Sequence, residues 1–285
     1  MDIEKIARSM ELSVSDEDKE FLVDIEKKVF NALGFGFNPE VLEILNDEKA
    51  SPGEIESIKS RLQQNVAMRL YGIANSVYYG KLRRGKISSF LEVFMRLGAD
   101  HTKTYIIILT LLELARGVRA RSLLAKSLAT SVMARILADR FGFSDNGINK
   151  AELAGLLLEI GKMMVLIYEE KEKKDGFRDD FAGRFNTYLG LKAIKHFNLP
   201  GYLNEIILED TFAFDEESIS VSSVVSMSHL LVSHSFQTKG KLSLKVSPPD
   251  LDGAGTGNYG EIILDRFRAI DLDEYVEIIE ATSGG

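Results

Sequence analysis

The sequence predicts an all-α fold, and three observations on helix signals lead to that prediction. Residues that cap helices recur along the chain, apolar residues between them repeat at the helical period, and glycine or proline stands where a helix should stop. We find no internal repeat of solenoid length. The 285 residues, of which 45 % are hydrophobic and 27 % charged, suffice for one large domain or two small ones and are typical of a globular protein.

The helices of the first half are predicted from their N-terminal caps. The proposed caps are, in order, Ser15, Asn38 before Pro39, Ser51 and Ser89. The last two have a glutamate three residues later, which is the capping-box pattern. Gly98 should end the helix that Ser89 opens, and residues 100–114 should form an apolar helix.

The second half is predicted to contain longer helices. They should cover, in order, residues 121–140, a stretch beginning near Asn149, residues 189–197 and residues 219–232. The first should stop near Gly142, and the last is rich in β-branched residues, which lower helix propensity. The alternating charges of residues 169–175 are typical of a solvated helix end or loop.

Gly117 interrupts the helical pattern between Leu114 and Arg121, so we expect two helical lobes that meet there. Towards the C-terminus, residues 239–257 are rich in proline and glycine and predict a long exposed connection. Residues 261–279 should form a helix or a hairpin.

The acidic charge disfavours two classes of partner. A net charge of −8 and a pI of about 5.2 oppose binding to nucleic acid backbones and to anionic membranes. The one basic cluster, residues 81–86, is better explained as a solvated loop than as a nucleic acid site.

The absence of cysteine excludes disulfides, thiolate nucleophiles and sulfur-ligated zinc, and it fits a reducing compartment. The first residues lack an apolar signal core. The longest apolar run, residues 105–112, is shorter than the about 20 residues that a bilayer requires, so it predicts a buried core helix. We therefore expect a cytoplasmic protein that does not cross a membrane.

The common catalytic motifs are missing. The glycines of residues 253–257 follow prolines rather than a strand, and no Lys-Ser or Lys-Thr pair follows them, so a phosphate-binding loop is not predicted. No nucleophile elbow is present. No two of the four histidines have the spacing that places two metal ligands on one helical face; they are His101, His196, His229 and His234. Each is better interpreted as structural, and no cofactor is predicted.

Two local features remain. In residues 69–80, Asn75 should end a helix in the left-handed conformation and orient the loop at residues 81–86. The alternative is a polar recognition corner made of Asn75, Ser76 and Tyr79. Residues 153–162 predict a buried helix with small residues at close contacts; Glu159 within it needs a partner, and Lys162 lies one turn away.

These features, in this order, resemble the HDOD family, helical relatives of the HD phosphohydrolases. The family's corner motif is matched by Ala74-Asn75-Ser76 with Tyr79, and its later motif by Gly155-Leu156-Leu157 and Ile160-Gly161-Lys162. Phe197, before Leu199-Pro200, stands where the family has tryptophan. The resemblance covers roughly residues 33–232. It implies an HD-like helical domain preceded by a smaller N-terminal helical lobe.

The resemblance also locates the ligands that HD enzymes use to bind a catalytic metal. The aligned positions are Lys126, Leu158, Glu159, Asp210 and His229. Leucine cannot ligate a metal and an ammonium repels one, so we expect a vestigial site without metal or catalytic residues. These residues should still gather, with the ammonium of Lys126 beside Glu159 or Asp210. In an alternative arrangement, Leu158 fills the cavity and the polar groups turn to solvent.

The resemblance further implies how the chain is divided and what it does. Residues 1–32 should be a helical extension, residues 33–235 the HDOD domain with its lobes meeting near residue 117, and residues 236–285 a loop and C-terminal extension. We expect a non-catalytic bacterial signalling or regulatory module that acts through protein contacts. The alternative is a divergent metal-dependent phosphohydrolase that uses replacement ligands such as Glu159, Asp210 and His229. The sequence identifies neither the partner nor the oligomeric state.

Overall fold

The structure, a computed structural model, describes residues 14–30, 40–76, 86–172, 179–208, 219–237, 241–245 and 259–279. It is built from helices with one small sheet near the C-terminus, which confirms the predicted helical fold. Among the described residues, no helix combines the length and the apolar character needed to cross a bilayer.

The first half contains short helices. They are α1 (Asp16–Ile25), continued by a π-helical turn (Glu26–Phe30), α2 (Glu40–Asn46), α3 (Pro52–Arg61), α4 (Gln64–Asn75) and α5 (Phe90–Leu97). The predicted cap Ser15 and the capping boxes of Ser51 and Ser89 are all present. Gly98 ends α5 with a φ of 81°, a conformation in which a side chain would be strained. The predicted cap at Asn38 lies outside the described residues.

Longer helices form the second half. They are α6 (Ala99–Leu114), α7 (Val118–Arg140), α8 (Asp145–Leu157), α9 (Ile160–Glu172), α10 (Asp179–His196), α11 (Tyr202–Leu208) and α12 (Val221–Ser235). Gly142, with a φ of 74°, follows the end of α7 as predicted. The helix expected near Asn149 begins four residues earlier, because Ser144 accepts a hydrogen bond from the backbone of Gly147.

Helices α6 and α7 form the centre of the core. Helix α6 is buried on all sides from His101 to Leu112, which confirms the prediction that its apolar run forms a buried core helix. Helix α7 packs against α8, α9 and α12. Gly155 of α8 lies against Ser131 of α7, where a Cβ would be 3.0 Å from the Cα of Ser131. The predicted role of Gly155 in close helix contact is therefore confirmed.

The C-terminal region differs from its prediction. Strand β1 (Phe236–Gln237) pairs antiparallel with β2 (Lys241–Lys245), which pairs parallel with β3 (Val276–Ile279). Helix α13 (Tyr259–Arg268) precedes β3. The expected connection at residues 239–257 thus contains a strand; its other residues lie outside the described part. Residues 261–279 form the end of α13 and then strand β3 rather than a hairpin. Strand β3 pairs with β2, not with a neighbouring strand of its own segment.

Three further expectations need correction. Asn75 is not left-handed: it is the last residue of α4, and the only described non-glycine residues with positive φ are Asn198 and Asp271. Residues 153–162 are not one helix, because a turn at Leu158 and Glu159 separates α8 from α9. Glu169, expected in solvent, is buried and paired with Arg119 at 3.2 Å. The break between α6 and α7 falls where the two lobes were predicted to meet, and the division into domains stays a prediction.

Candidate functional site

The candidate site is a charged cluster centred on Glu159, in the turn between α8 and α9. Lys126 reaches it from α7, Lys162 from the first turn of α9, and His229 from α12. Because α7 packs against α8, α9 and α12, three separate elements converge on one carboxylate. The structure thus brings together three of the residues that the sequence assigned to the vestigial site, and Lys162 with them.

The cations approach both oxygens of the carboxylate. Nζ of Lys126 lies 3.1 Å from Oε2 of Glu159, and Nζ of Lys162 lies 3.2 Å from Oε1. Nε2 of His229 is 3.3 Å from Oε2, without the alignment of a hydrogen bond. The Glu159 side chain is only 8 % exposed, so this carboxylate is held inside the protein by surrounding positive charge.

The surrounding charge controls the ionisation of Glu159. Burial alone would raise the pKa of this carboxyl group, because it removes water from the charged form. The imidazole of His229 and the ammonium groups of Lys126 and Lys162 outweigh that effect and lower the pKa to about 2. Glu159 is therefore an anion at neutral pH, and it cannot serve as a proton donor there.

Leu158, which is also aligned with an HD ligand, does not join this cluster. The Leu158 side chain belongs to the hydrophobic core, and its backbone carbonyl accepts a hydrogen bond from Asn186 at 2.9 Å. Asp210 lies outside the described residues. Two features that were expected as alternatives therefore occur together: Leu158 fills apolar space, while Lys126 stays beside Glu159 instead of turning to solvent.

The residues of the cluster do not fit the metal that HD enzymes carry. An HD site needs several histidine and aspartate ligands around one cation, whereas this cluster offers one carboxylate and one imidazole and contains two ammonium groups. Within the described part of the chain, no group of three or more metal-binding side chains lies together. The position beside Oε2 of Glu159, where a cation would bind, is taken by Nζ of Lys126.

The corner at Asn75 has a structural role that the sequence did not predict. Its side-chain amide donates to the carbonyl of Tyr71 at 3.0 Å and accepts from the backbone N–H of Ile87 at 2.9 Å. The side chain therefore ties the end of α4 to the segment before α5. Ser76 is buried at the same corner. Tyr79 and residues 81–85 of the basic loop lie outside the described residues.

A second buried cluster, centred on Glu152 of α8, was missed. Nη1 of Arg135 donates to Oε2 of Glu152 at 2.6 Å, and Nε2 of His101 is 3.3 Å from the same oxygen. The hydroxyl of Tyr105 donates to Oε1 at 2.9 Å and accepts from Nη1 of Arg266 at 2.8 Å. The network joins α6, α7 and α8 to α13, so it attaches the C-terminal extension to the core.

Burial would raise the pKa of the Glu152 carboxyl, but His101 and the two guanidinium groups outweigh it and hold the pKa well below its usual range. Glu152 is wholly buried and Arg266 nearly so. The sequence does contain one signal for this cluster, because Glu152 stands within the apolar stretch of residues 151–158. The sequence does not show that Arg266, more than 100 residues later, is its partner.

Comparison with known proteins agrees with this fold. The HDOD domain profile matches residues 37–210. The structure resembles a protein from Shewanella amazonensis SB2B, named as a candidate metal-dependent phosphohydrolase, with a TM-score of 0.57, 17 % identity, and coverage of 87 % of this chain and 98 % of that one.

It also resembles an HDOD domain protein of unknown function from Geobacter sulfurreducens, with a TM-score of 0.46, 21 % identity, and coverage of 88 % and 92 % of the two chains. No curated protein matches the sequence. Since the HDOD profile spans more than half of the sequence, the chain belongs to the HDOD domain family.

Proposed function

We propose that this protein is a non-catalytic signalling or regulatory module of the bacterial cytoplasm, which acts through protein contacts and retains an HD site in degenerate form. The observation that carries the proposal is the ammonium of Lys126, 3.1 Å from Glu159, which is the one aligned carboxylate in the part of the chain that the structure describes. A divalent cation bound there would face two lysines at short range, and their repulsion in a partly buried site would oppose binding.

The described part of the site also lacks the metal ligands that hydrolysis by an HD enzyme requires. HD enzymes use a metal to generate a nucleophilic water at neutral pH. Here Leu158 supplies no ligand, and the carboxylate of Glu159 is neutralised by cations of the protein itself. A regulatory role is supported by the contacts of Glu159 with side chains of α7, α9 and α12. If a protein bound to one of these helices and moved it, the contacts at Glu159 would pass the displacement to the other two.

Metal content and hydrolysis test the proposal together. The protein is purified without added metal, dialysed against Mn²⁺, and analysed for bound metal and for hydrolysis of p-nitrophenyl phosphate and its diester. We expect far less than one metal per chain and no hydrolysis above that of Glu159→Gln. Stoichiometric Mn²⁺ that depends on Glu159 and His229, or hydrolysis that Glu159→Gln abolishes while the fold is kept, would establish the phosphohydrolase instead.

A variant in which metal ligands are restored is the matched control for the metal measurement. Lys126→His combined with Leu158→His places imidazoles at two aligned positions while Glu159 and His229 remain. We expect this variant to bind more Mn²⁺ than the natural sequence, because it removes one repelling charge and adds two ligands. If it binds no more than the natural sequence does, the alignment of these positions with HD ligands is wrong.

A further inference from the structure

The N-terminal segment, residues 14–30, packs on α9 and α10, although it lies outside the HDOD match at residues 37–210. Its apolar face is buried at Leu22, Ile25 and Val29. Phe21 meets Phe181 edge to face, with ring centroids 6.1 Å apart. The segment therefore covers a surface of the second half of the domain.

Aromatic contacts also hold the far end of the segment. The ring of Phe30 lies 4.8 Å from that of His196 and 5.9 Å from that of Phe197. Contacts thus extend along the whole length of α10, from Phe181 near its start to His196 at its end.

Polar contacts along this surface are complementary in charge. Asp18 pairs with Arg184 at 3.4 Å. Glu26 accepts hydrogen bonds from the hydroxyl of Tyr188 at 2.8 Å and from Nζ of Lys192 at 3.0 Å. The acidic groups belong to the N-terminal segment and the donors to α10, so this face of α10 recognises an acidic helix.

Helix α9 adds one contact of each kind. The hydroxyl of Tyr168 donates to Asp24, which again places the acid on the segment. The opposite polarity occurs where Nζ of Lys28 is 2.6 Å from Glu172. Lys28 also pairs with Asp24 at 3.0 Å within the segment, so the net pattern stays acidic on the segment and basic on α10.

The ion pairs of the segment contribute less to its attachment than its buried apolar side chains do. The ion pairs to Arg184 and Lys192 join side chains that are 16–32 % exposed, and such partly exposed pairs contribute little each. Amphipathic helices bind such faces through apolar anchors spaced three and four residues apart, which is the spacing of Leu22, Ile25 and Val29. This combination suits an exchangeable contact more than a permanent one.

We propose that the α9–α10 face is a docking surface for an acidic amphipathic helix of a partner protein, and that residues 14–30 cover it in cis until the partner displaces them. The existence of a partner rests on the proposed regulatory function, whereas the cis contact does not. A tethered segment acts at a high effective concentration, so it sets a threshold that a partner helix must exceed.

The test uses the absence of cysteine in the chain. Val23→Cys on the exposed side of α1 and Lys195→Cys on α10 introduce two labelling sites that report the distance between segment and face. A peptide of residues 14–30 is then titrated onto the labelled protein. The control peptide carries Asn or Gln at positions 18, 24 and 26 and so keeps the apolar anchors without the charges.

Three variants of the protein distinguish effects on the α9–α10 face from effects on the N-terminal segment. Glu26→Lys weakens the cis segment but leaves the face intact, Lys192→Glu alters the face, and the two combined restore a pair of opposite charges. We expect the peptide to bind Glu26→Lys about tenfold more tightly than the unaltered protein, because more of the face is uncovered. It should bind Lys192→Glu weakly, and the combined variant should regain the short label distance.

Several results would overturn the inference: equal binding to Glu26→Lys and the unaltered protein, equal binding of the two peptides, or a label distance that the peptide does not change. If Glu26→Lys does not fold, the milder Glu26→Gln takes its place with the same expectation. Phosphoester hydrolysis by the protein would refute the proposed function, while the peptide titration would still decide the cis contact.

Discussion

Replacing Glu159 by glutamine should destabilise the protein strongly at neutral pH. The change keeps the shape of the side chain and removes the charge that Lys126, Lys162 and His229 surround. A pKa that folding lowers from 4.5 to about 2 corresponds to about 3 kcal/mol of stability when the group is ionised. Because the Glu159 side chain is only 8 % exposed, solvent screening reduces this value little.

The contribution of Glu159 to stability depends on pH. Since the pKa of Glu159 is lower in the folded than in the unfolded protein, its contribution is complete above about pH 5 and is lost as the pH falls towards 2. The difference in unfolding free energy between the natural sequence and Glu159→Gln should therefore decrease from about 3 kcal/mol at pH 7 to about 1.5 kcal/mol at pH 3.

Urea unfolding followed by circular dichroism at pH 7, 5 and 3 measures this difference. Glu48→Gln, at an exposed position of the loop between α2 and α3, is the matched control and should change the stability by less than about 0.5 kcal/mol. A cost at pH 7 no greater than that of the control, or a cost that does not vary with pH, would refute the cluster as the origin of the stability.

Substitutions at Glu152, Asn75 and Gly161 test other parts of the structure by the same unfolding measurement. Glu152→Gln should cost about 3–5 kcal/mol, since it leaves buried guanidinium groups without their carboxylate; a cost below about 1 kcal/mol would contradict the network. Asn75→Gly and Asn75→Val should both cost about 1–2 kcal/mol, because both lose the hydrogen bond from Ile87, and a neutral glycine would restore the left-handed interpretation. Gly161→Ala should cost about 1–3 kcal/mol, as its Cβ would overlap the carbonyl of Asn186, whereas Gly53→Ala, with open space around it, should not.

Signals within a few residues of each other were sufficient to predict several helix starts. The capping boxes at Ser51 and Ser89 depend on side chains three residues apart, so the sequence contains the whole interaction. Asn75 shows the limit of such reasoning. Its residue type allows a left-handed helix end, but its amide found an acceptor at Tyr71 and a donor at Ile87, and these contacts keep it helical.

The site was predictable in part because the resemblance supplied positions that composition and spacing do not. It named Lys126, Glu159 and His229, which converge from two helices and the turn between α8 and α9, whereas the i, i+3 spacing alone gave only the contact to Lys162. The network around Glu152 was not predictable in the same way. Its members come from four helices, and only the packing of those helices brings a wholly buried carboxylate to its guanidinium partners.

The network around Glu152 also sets an order of events when the chain is made. Tyr105 and Arg266 lie 161 residues apart, so a ribosome must add all the residues between them before this hydrogen bond can form. Until then the buried centre of the domain lacks one of its cations. Contacts of such long range form late and slow the last step of folding. A nascent chain should therefore remain a substrate for chaperones until α13 emerges, so its maturation should depend on a helix outside the family match at residues 37–210.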